Sequence, residues 1–311
     1  MRNPQQNNAH KAINRLKKKG QKHKSFVDKV EARKTFHGLS FCDAKTFLKK
    51  IPDSSIQLII IDPPYNIDLE TWDHFDNYLE WAKTWLDEIY RILTDTGNCV
   101  IFGGFQFQDL KNGDLLEILH YSRHETQLRF INLIIWHYKN GMGAQRFFAN
   151  RHEEAIWLAK SKKYYFDLDA VRTPYDEKAL ASALKDKRLN PENVLKGKNP
   201  TNVWQIKRLN SNSLERVGHP TQKPSELIRR FVRSLSFQGS LVLDFFAGSG
   251  TTGRVCIEEG RHSILADSDK NLEIYLQKHL EQINHTIQKI PYEIRILDNI
   301  PAFFHSVNHQ L

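Results

Sequence analysis

Two short segments carry residue types and spacings that could do chemistry. One is Asp62-Pro63-Pro64-Tyr65 after the apolar run LIII; the other is Asp244-Phe245-Phe246-Ala247-Gly248-Ser249-Gly250 after LVL. In the first, the prolines fix φ and remove two N–H donors, so the main chain there offers only carbonyls. The Asp62 carboxylate and the Pro63 carbonyl make an edge of acceptors, and Tyr65 adds a flat face. An aromatic exocyclic amine needs such a partner. Its lone pair is delocalised into the ring, and two acceptors gripping its hydrogens favour a pyramidal nitrogen whose lone pair can reach an electrophile. Positioning and electrostatics carry that reaction without a covalent enzyme intermediate. A base must leave its stack to be reached, and Tyr65 would support it once flipped. The plain alternative is a rigid turn.

In the second segment, Gly248, Gly250 and Gly253 fit the spacing G-x-G-x-x-G of dinucleotide turns. Asp244 argues against a dinucleotide, because it would repel a pyrophosphate lying beside the turn. It suits a ligand with a cation nearby, such as the ammonium of a methionine moiety. Asp267, closing SILAD, is placed to accept hydrogen bonds from ribose hydroxyls. S-adenosylmethionine, a nucleoside carrying a cationic amino acid, fits both acids, and its sulfonium methyl is an electrophile for the first segment. An ordinary βα turn without a ligand is the plain alternative.

The elements that must position these segments alternate. FHGLSFCDA predicts a strand ending at Asp43, AKTFLKKIP a short helix closed by Pro52, and SIQLIII a strand ending at Asp62. DNYLEWAKTWLDEIYRIL has apolar residues at helical spacing; TDTG turns it into the strand NCVIFGG, and QLRFINLIIWHY and EEAIWLAK follow as strands. After residue 218 come the helix KPSELIRRFVRSL, the strand SLVLDF, the glycine turn with its helix, and SILAD. The alternation predicts an α/β fold with a mostly parallel sheet covered on both faces. Residues 1–34 read as a basic flexible arm, 35–165 and 219–311 as two halves of one domain, and 166–218, rich in Lys, Arg and Asn, as an insert.

The chain of 311 residues has formal charge +9 and a pI near 9.3, which favours polyanionic partners such as nucleic acid. The basic stretch Lys17 to Lys24 and the pair Lys207-Arg208 agree, although charge runs are usually solvated faces. Cys42, Cys99 and Cys256 lie far apart in apolar contexts, so buried thiols in a reducing cytoplasm are expected and no metal site is. No apolar run approaches a membrane span, and a soluble cytoplasmic protein is expected. Trp136, Tyr138, Phe147 and Phe148 lie near the expected pocket; for any one of them, core packing is the commoner role.

Asp-Pro-Pro-Tyr followed much later by F-x-G-x-G (Phe246, Gly248, Gly250) resembles the β-class DNA amino-methyltransferases, from about Phe36 to about Leu280. The resemblance implies a circularly permuted, seven-stranded, Rossmann-like methyltransferase sheet, S-adenosylmethionine as cofactor and duplex DNA as substrate. By the same resemblance Asp62, Pro63, Pro64 and Tyr65 are catalytic. Asp244, Phe245, Phe246, Ala247, Gly248, Gly250 and Asp267 surround the cofactor, and Asp43 meets its adenine amine. Thr221 and Lys223, in HPTQKPSELI, would hold its methionine carboxylate. KNGMGAQRFFANRHEEAIW resembles the segment lining the target-base pocket, which makes Arg146 and Phe147 DNA contacts alongside Lys207 and Arg208. The insert falls where this class carries its target-recognition region. Phe245 departs from the family, which usually has proline there.

Within the family an acid at the first motif position accompanies adenine and a serine accompanies cytosine, so Asp62 points to adenine N6. Cytosine-N4 transfer, a non-catalytic DNA-binding module on the same fold, and a dinucleotide-dependent oxidoreductase are the other readings. The resemblance also brings a restriction-modification setting with a cognate endonuclease, and a homodimer. The recognition sequence is not legible in the insert's composition.

Overall fold

In the computed structural model, which describes residues 32–67, 73–104, 115–140, 143, 145, 146, 148–283 and 290–308, the apolar runs build one nine-stranded sheet. Along the chain come β1 (Thr35–Phe41), α1 (Ala44–Leu48), β2 (Ile56–Ile61), α2 (Tyr78–Ile92), β3 (Leu93–Gly103) and α3 (Leu115–His124). Strands β4 (Arg129–His137) and β5 (His152–Ala159) follow, then the short helices α4 (Glu177–Lys185) and α5 (Pro191–Leu195) and the strand β6 (Val203–Gln205). The chain continues through α6 (Ser225–Leu235), β7 (Leu241–Asp244), α7 (Thr251–Glu259), β8 (His262–Asp267), α8 (Asn271–Glu281), β9 (Tyr292–Ile296) and α9 (Ile300–Asn308).

The strand order is β6-β4-β5-β3-β2-β7-β8-β1-β9, and every strand pairing is parallel except those of β5 with β3 and β4. The sheet is therefore mostly parallel, with nine strands where seven were expected. β6, from the stretch read as irregular, joins β4 through Trp136↔Trp204, and β9 joins β1. The TDTG stretch is extended as the first part of β3 and is not a turn, because Leu93 already pairs with Ile56.

Each residue of β2 is buried, as expected of a strand covered on both sides. Ile59 and Ile61 face a core with α1, α2, α3 and α9, while Leu58 and Ile60 face one with α6 and α7. A third cluster seats α8 through Leu272 and Leu276 on Leu39 and Leu265. Helix α2 starts at Asn77, whose side chain accepts from Glu80 N at 3.2 Å, and its stripe Tyr78, Ala82, Trp85, Leu86 and Ile89 is buried. Helix α6 has no side-chain cap at Pro224; Ser225 N–H instead donates to the Glu215 carboxylate at 2.6 Å.

Several buried polar side chains in the far half of the sheet are hydrogen-bonded, although His262 Nε2 has no partner among the described residues. His37 bonds Ser263 Oγ at 2.8 Å and Thr35 Oγ1 at 3.0 Å, and His262 Nδ1 accepts from Phe36 N at 2.9 Å. Burial drives His37 down to about 3, with His262 adding to it, and drives His262 down to about 4. His279, on the buried face of α8, is likewise driven down to about 3, chiefly by burial. Cys99 and Cys256 are buried with their thiols pushed up by desolvation, whereas Cys42 is half-buried.

Candidate active site

Strands β2, β7, β8 and β1 are consecutive neighbours, and each ends in an acid at the same edge. Asp62 follows β2, Asp244 and Asp267 close β7 and β8, and Asp43 stands just past β1. At roughly 4.8 Å per strand, the carboxylates form a row along the carboxyl edge, where open α/β sheets take their ligands. A row of acids at a sheet edge selects a cationic guest.

Around Asp62 the side chains converge. Its Oδ1 accepts from the Tyr65 hydroxyl at 2.7 Å, and its Oδ2 from Lys223 Nζ at 2.5 Å. Glu153 Oε2 lies 3.5 Å from the same ammonium, whose other neighbours are the rings of Tyr65 and Phe102 at 5.6 and 5.5 Å. Burial opposes the charge on Lys223, but Asp62 and Glu153 together hold its pKa above the ordinary lysine value. Burial, with Asp62 and Glu153, also pushes the Tyr65 phenol well up, so it is a neutral donor.

The backbone of this motif is pinned from the next loop. Asn66 adopts a positive φ of 55°, a conformation asparagine tolerates better than most residues. The Asp73 carboxylate accepts from Asn66 N and Ile67 N, and Asn66 exchanges two side-chain bonds with the Phe75 backbone. The Pro64 carbonyl accepts from the Tyr78 hydroxyl at 2.7 Å. Tyr65, Tyr78 and Phe102 line a recess beside Asp62 together with Gly103, Leu115 and Ile118.

At the glycine turn, Gly248 and Gly250 have φ of 45° and 75°, which side chains on an L-residue resist. A Cβ at Gly248 would also come within 3.1 Å of the His219 ring. Gly248 N–H donates to Asp267 Oδ2 at 2.8 Å, locking the turn to the end of β8. Asp244 accepts from the Thr252 hydroxyl at 2.6 Å and from Phe246 N at 3.2 Å. Burial nevertheless pushes Asp244 up to about 7, with the charges of Asp267 and Asp62 adding to the rise. Phe245 is buried against Trp85, ring centroids 5.9 Å apart, and Phe246 meets Trp81 and Trp85 at 5.6 and 5.7 Å. Packing into this aromatic cluster anchors the turn at the position where a proline was expected. Ala247 N–H donates to Ala266 O at 3.1 Å.

The segment before α6 is bolted to the same turn. Thr251 Oγ1 donates to the Lys223 carbonyl at 3.3 Å, and Thr221 lies beside His219 Nδ1 at 3.3 Å from its N–H. Burial holds the His219 imidazole below its ordinary value, with Asp267 and Asp62 pulling the other way. Glycines of positive φ, a buried acid and a row of acceptors are groups that could hold S-adenosylmethionine, with Asp244 near the place its ammonium would take, Asp267 its ribose and Asp43 its adenine. Asp43 is exposed and also caps α1 through Thr46 N at 3.2 Å.

The structure brings Asp62, Tyr65, Lys223, Asp244 and the glycine turn together. Lys207 and Arg208 stand apart from them: they follow β6, four strand spacings or about 19 Å along the same edge. Both are exposed, and the Arg208 guanidinium covers the Tyr138 ring at 4.9 Å. Arg146 is exposed in the β4–β5 connection, and Phe147 lies outside the described residues. Trp136 and Tyr138 are core residues, but Phe148 is 98% exposed. Sequence reasoning missed Glu153 and the packing of His219 on the turn. Two successive acids opening an apolar strand were the available signal for Glu153, since a buried carboxylate needs a partner. Among the described residues, no cluster of His, Cys, Asp and Glu could hold a metal ion.

Residues 56–278 match the N6/N4 family model described as DNA methylase. The chain is 35% identical over 229 residues to the Type II methyltransferase M.HpaI of Haemophilus parainfluenzae, covering 72% of this chain and 67% of that protein. It is 34% identical over 246 residues to the DNA adenine methyltransferase YhdJ of Escherichia coli K12, covering 75% and 78%. Among solved structures it resembles PvuII DNA methyltransferase (cytosine-N4-specific), with a TM-score of 0.61, 17% identity and coverage of 91% and 98%. The M1.HpyAVI-SAM complex gives a TM-score of 0.54 at 23% identity, covering 80% and 99%. At these identities the structural likeness shows the fold.

Proposed function

The chain belongs to the N6/N4 DNA methylase family, whose methyl donor is S-adenosylmethionine, and from that membership we propose that it is a sequence-specific adenine-N6 methyltransferase of duplex DNA. One observation carries the reading: Asp62 and Tyr65 stand just past β2, beside the turn after β7 whose glycines suit the cofactor. S-adenosylmethionine, when bound, supplies a methyl group whose transfer leaves a neutral thioether. The Asp62 carboxylate and the Pro63 carbonyl grip the hydrogens of the exocyclic amine, with Pro64 keeping the edge rigid. Tyr65 stacks on the flipped base, with Tyr78 and Phe102 forming the apolar wall next to it. As the nitrogen–carbon bond forms, one amine proton leaves toward Asp62 or solvent.

Adenine is favoured by the acid at position 62, and the 34% identity to a DNA adenine methyltransferase supports it. The cytosine-N4 name of a structural neighbour keeps N4 transfer as the second reading. In this scheme Thr221 serves the methionine carboxylate and Arg146, Lys207 and Arg208 the DNA, while the Lys223 ammonium faces Asp62 and Glu153. The 166–218 stretch reads the target sequence between the two halves of the domain, and the basic arm tracks the backbone. The Type II names of the relatives favour a restriction-modification setting in the cytoplasm. No helix among the described residues is long and apolar enough to cross a membrane.

The test is to incubate the protein with labelled S-adenosylmethionine and duplex DNA, digest the product and identify the labelled nucleoside. N6-methyl-2′-deoxyadenosine from the wild type and no label from Asp62→Ala, with cofactor binding retained, is the expected result. N4-methylcytosine alone would move the assignment to cytosine, and full activity in Asp62→Ala would refute the mechanism.

A further inference from the structure

Lys223 presents a conflict within the proposed chemistry. Its ammonium donates to Asp62 Oδ2 at 2.5 Å while the Tyr65 hydroxyl occupies Oδ1. The Asp62 carboxylate is thus engaged at both oxygens, yet it is the group that must grip the target amine. An ammonium repels the hydrogens of an incoming amine and competes for the same lone pairs. Each oxygen keeps a second lone pair, but the amine is gripped best when the lysine yields Asp62. The lysine cannot leave for bulk water cheaply, since its side chain is 11% exposed and lies between the Tyr65 and Phe102 rings. A buried cation without a counter-charge is costly.

Glu153 supplies the counter-charge. It stands at the start of β5, paired in register with Trp136, and its Oε2 already lies 3.5 Å from Nζ. The glutamate is buried and the next residue, Glu154, points to the opposite face, where His152 Nε2 meets it at 2.9 Å. Because the separation is only 3.5 Å, a small side-chain rotation of Lys223 converts the long contact into a hydrogen bond. That rotation frees Asp62 Oδ2 and keeps the ammonium paired throughout.

Resting on the function proposed above, we propose that Glu153 is a positioning residue for methyl transfer, holding the Lys223 ammonium off Asp62 while the target amine occupies it. Glu153 touches neither the base nor the methyl donor and acts only through the lysine. Without it the lysine has one carboxylate left and stays on Asp62.

The experiment is steady-state kinetics of Glu153→Gln on duplex DNA, with cofactor affinity measured by calorimetry and the melting temperature recorded. The glutamine keeps the shape and loses the charge. The expected result is a kcat lower by about 10–100-fold, the range that misplacement of a reacting group produces. The KM for DNA and the Kd for S-adenosylmethionine should stay within about threefold, because the group acts through position and not binding. Glu153→Asp, which keeps the charge on a shorter arm, should recover part of the loss. A merely structural role would instead lower the melting temperature and shift every constant together. Wild-type kcat in folded Glu153→Gln, beside an active wild type, overturns the role of Glu153 alone. Absence of DNA methylation by the wild type overturns the proposed function and this inference with it.

A second measurement does not depend on how the variant folds. A crystal structure of the wild type with the non-reactive analogue sinefungin and target duplex should show Nζ within hydrogen-bond distance of Glu153 and the amine on Asp62. Nζ still on Asp62 with the amine in place would refute the proposal.

Discussion

Asp244→Asn should reverse its effect on stability between acid and neutral pH. The carboxyl sits at about 7 in the fold, against an ordinary aspartate value of 3.8, chiefly because it is buried. A difference of about three units corresponds to about 4 kcal/mol between the protonated and ionised forms. The folded value is raised, so the folded state binds the proton more tightly than the unfolded one. Its stabilising contribution is full below about pH 4 and is lost as the pH rises through 7. Asparagine removes that titration. Its carbonyl can still accept from Thr252, but the Phe246 N–H loses its carboxylate, at a cost of about 1 kcal/mol. The variant should therefore be less stable than the wild type by about 1 kcal/mol at pH 4 and more stable by about 3 kcal/mol at pH 8. Urea denaturation of both proteins at unit pH steps from 4 to 8 gives the difference directly. A difference that does not change with pH, or that stays destabilising up to pH 8, would refute the assignment of a desolvated acid. Cofactor binding should move in the opposite sense. A cationic ammonium favours the ionised acid, so wild-type affinity for S-adenosylmethionine should rise about tenfold per pH unit up to about 7 and level above it. The asparagine variant should bind more weakly and lose that dependence.

The buried histidines act at the acid end. Their folded values lie below 6.5, so the stability that they contribute is present above that pH and is lost as the pH falls toward 3 to 4. In His262→Asn the side-chain oxygen can still accept from Phe36 N, while the slope of unfolding free energy between pH 4.5 and 6 should drop by about 1.4 kcal/mol per pH unit, one proton's worth; an unchanged slope in urea melts would count against it. Replacing Lys207 and Arg208 together with alanine should weaken duplex binding and lower the log–log salt slope by about 1.8, with cofactor affinity intact. Fluorescence anisotropy across a salt series measures this, and an unaltered slope would remove the pair from the DNA face.

The sequence exposed the catalytic edge because each element there obeys a local rule. A run such as IQLIII has one use in an α/β chain, and an acid followed by two prolines can only end it. The glycines of the second turn were legible for the same reason, since Gly248 and Gly250 occupy a backbone region closed to other residues. What stayed hidden depends on partners far away in the chain. Glu153 looked like the polar start of a strand until folding brought Lys223 to it. β6 is only Val203–Gln205, too short for any periodicity, and is a strand because β4 offers it a free edge. The antiparallel sense of β5 likewise follows from its position between β3 and β4, not from its own residues. Phe148 shows the converse: aromatic character suggested the core, and the fold leaves the ring in solvent.

The strand order also dictates when the molecule can exist during its own synthesis. β1 has two neighbours, β8 and β9, and its His37 is bonded to Ser263 across 226 residues of chain. Among the described strands β1 leaves the ribosome first, and it therefore waits for β8 before any of its backbone is paired. The interval spans the making of β2 to β7, and such distant pairing slows folding and prolongs the exposure of unpaired edges. Phe41 and Asp267 come into register only when that wait ends, so an unfinished chain carries Asp62-Pro63-Pro64-Tyr65 without the completed sheet edge that holds Asp43 and Asp267 near it.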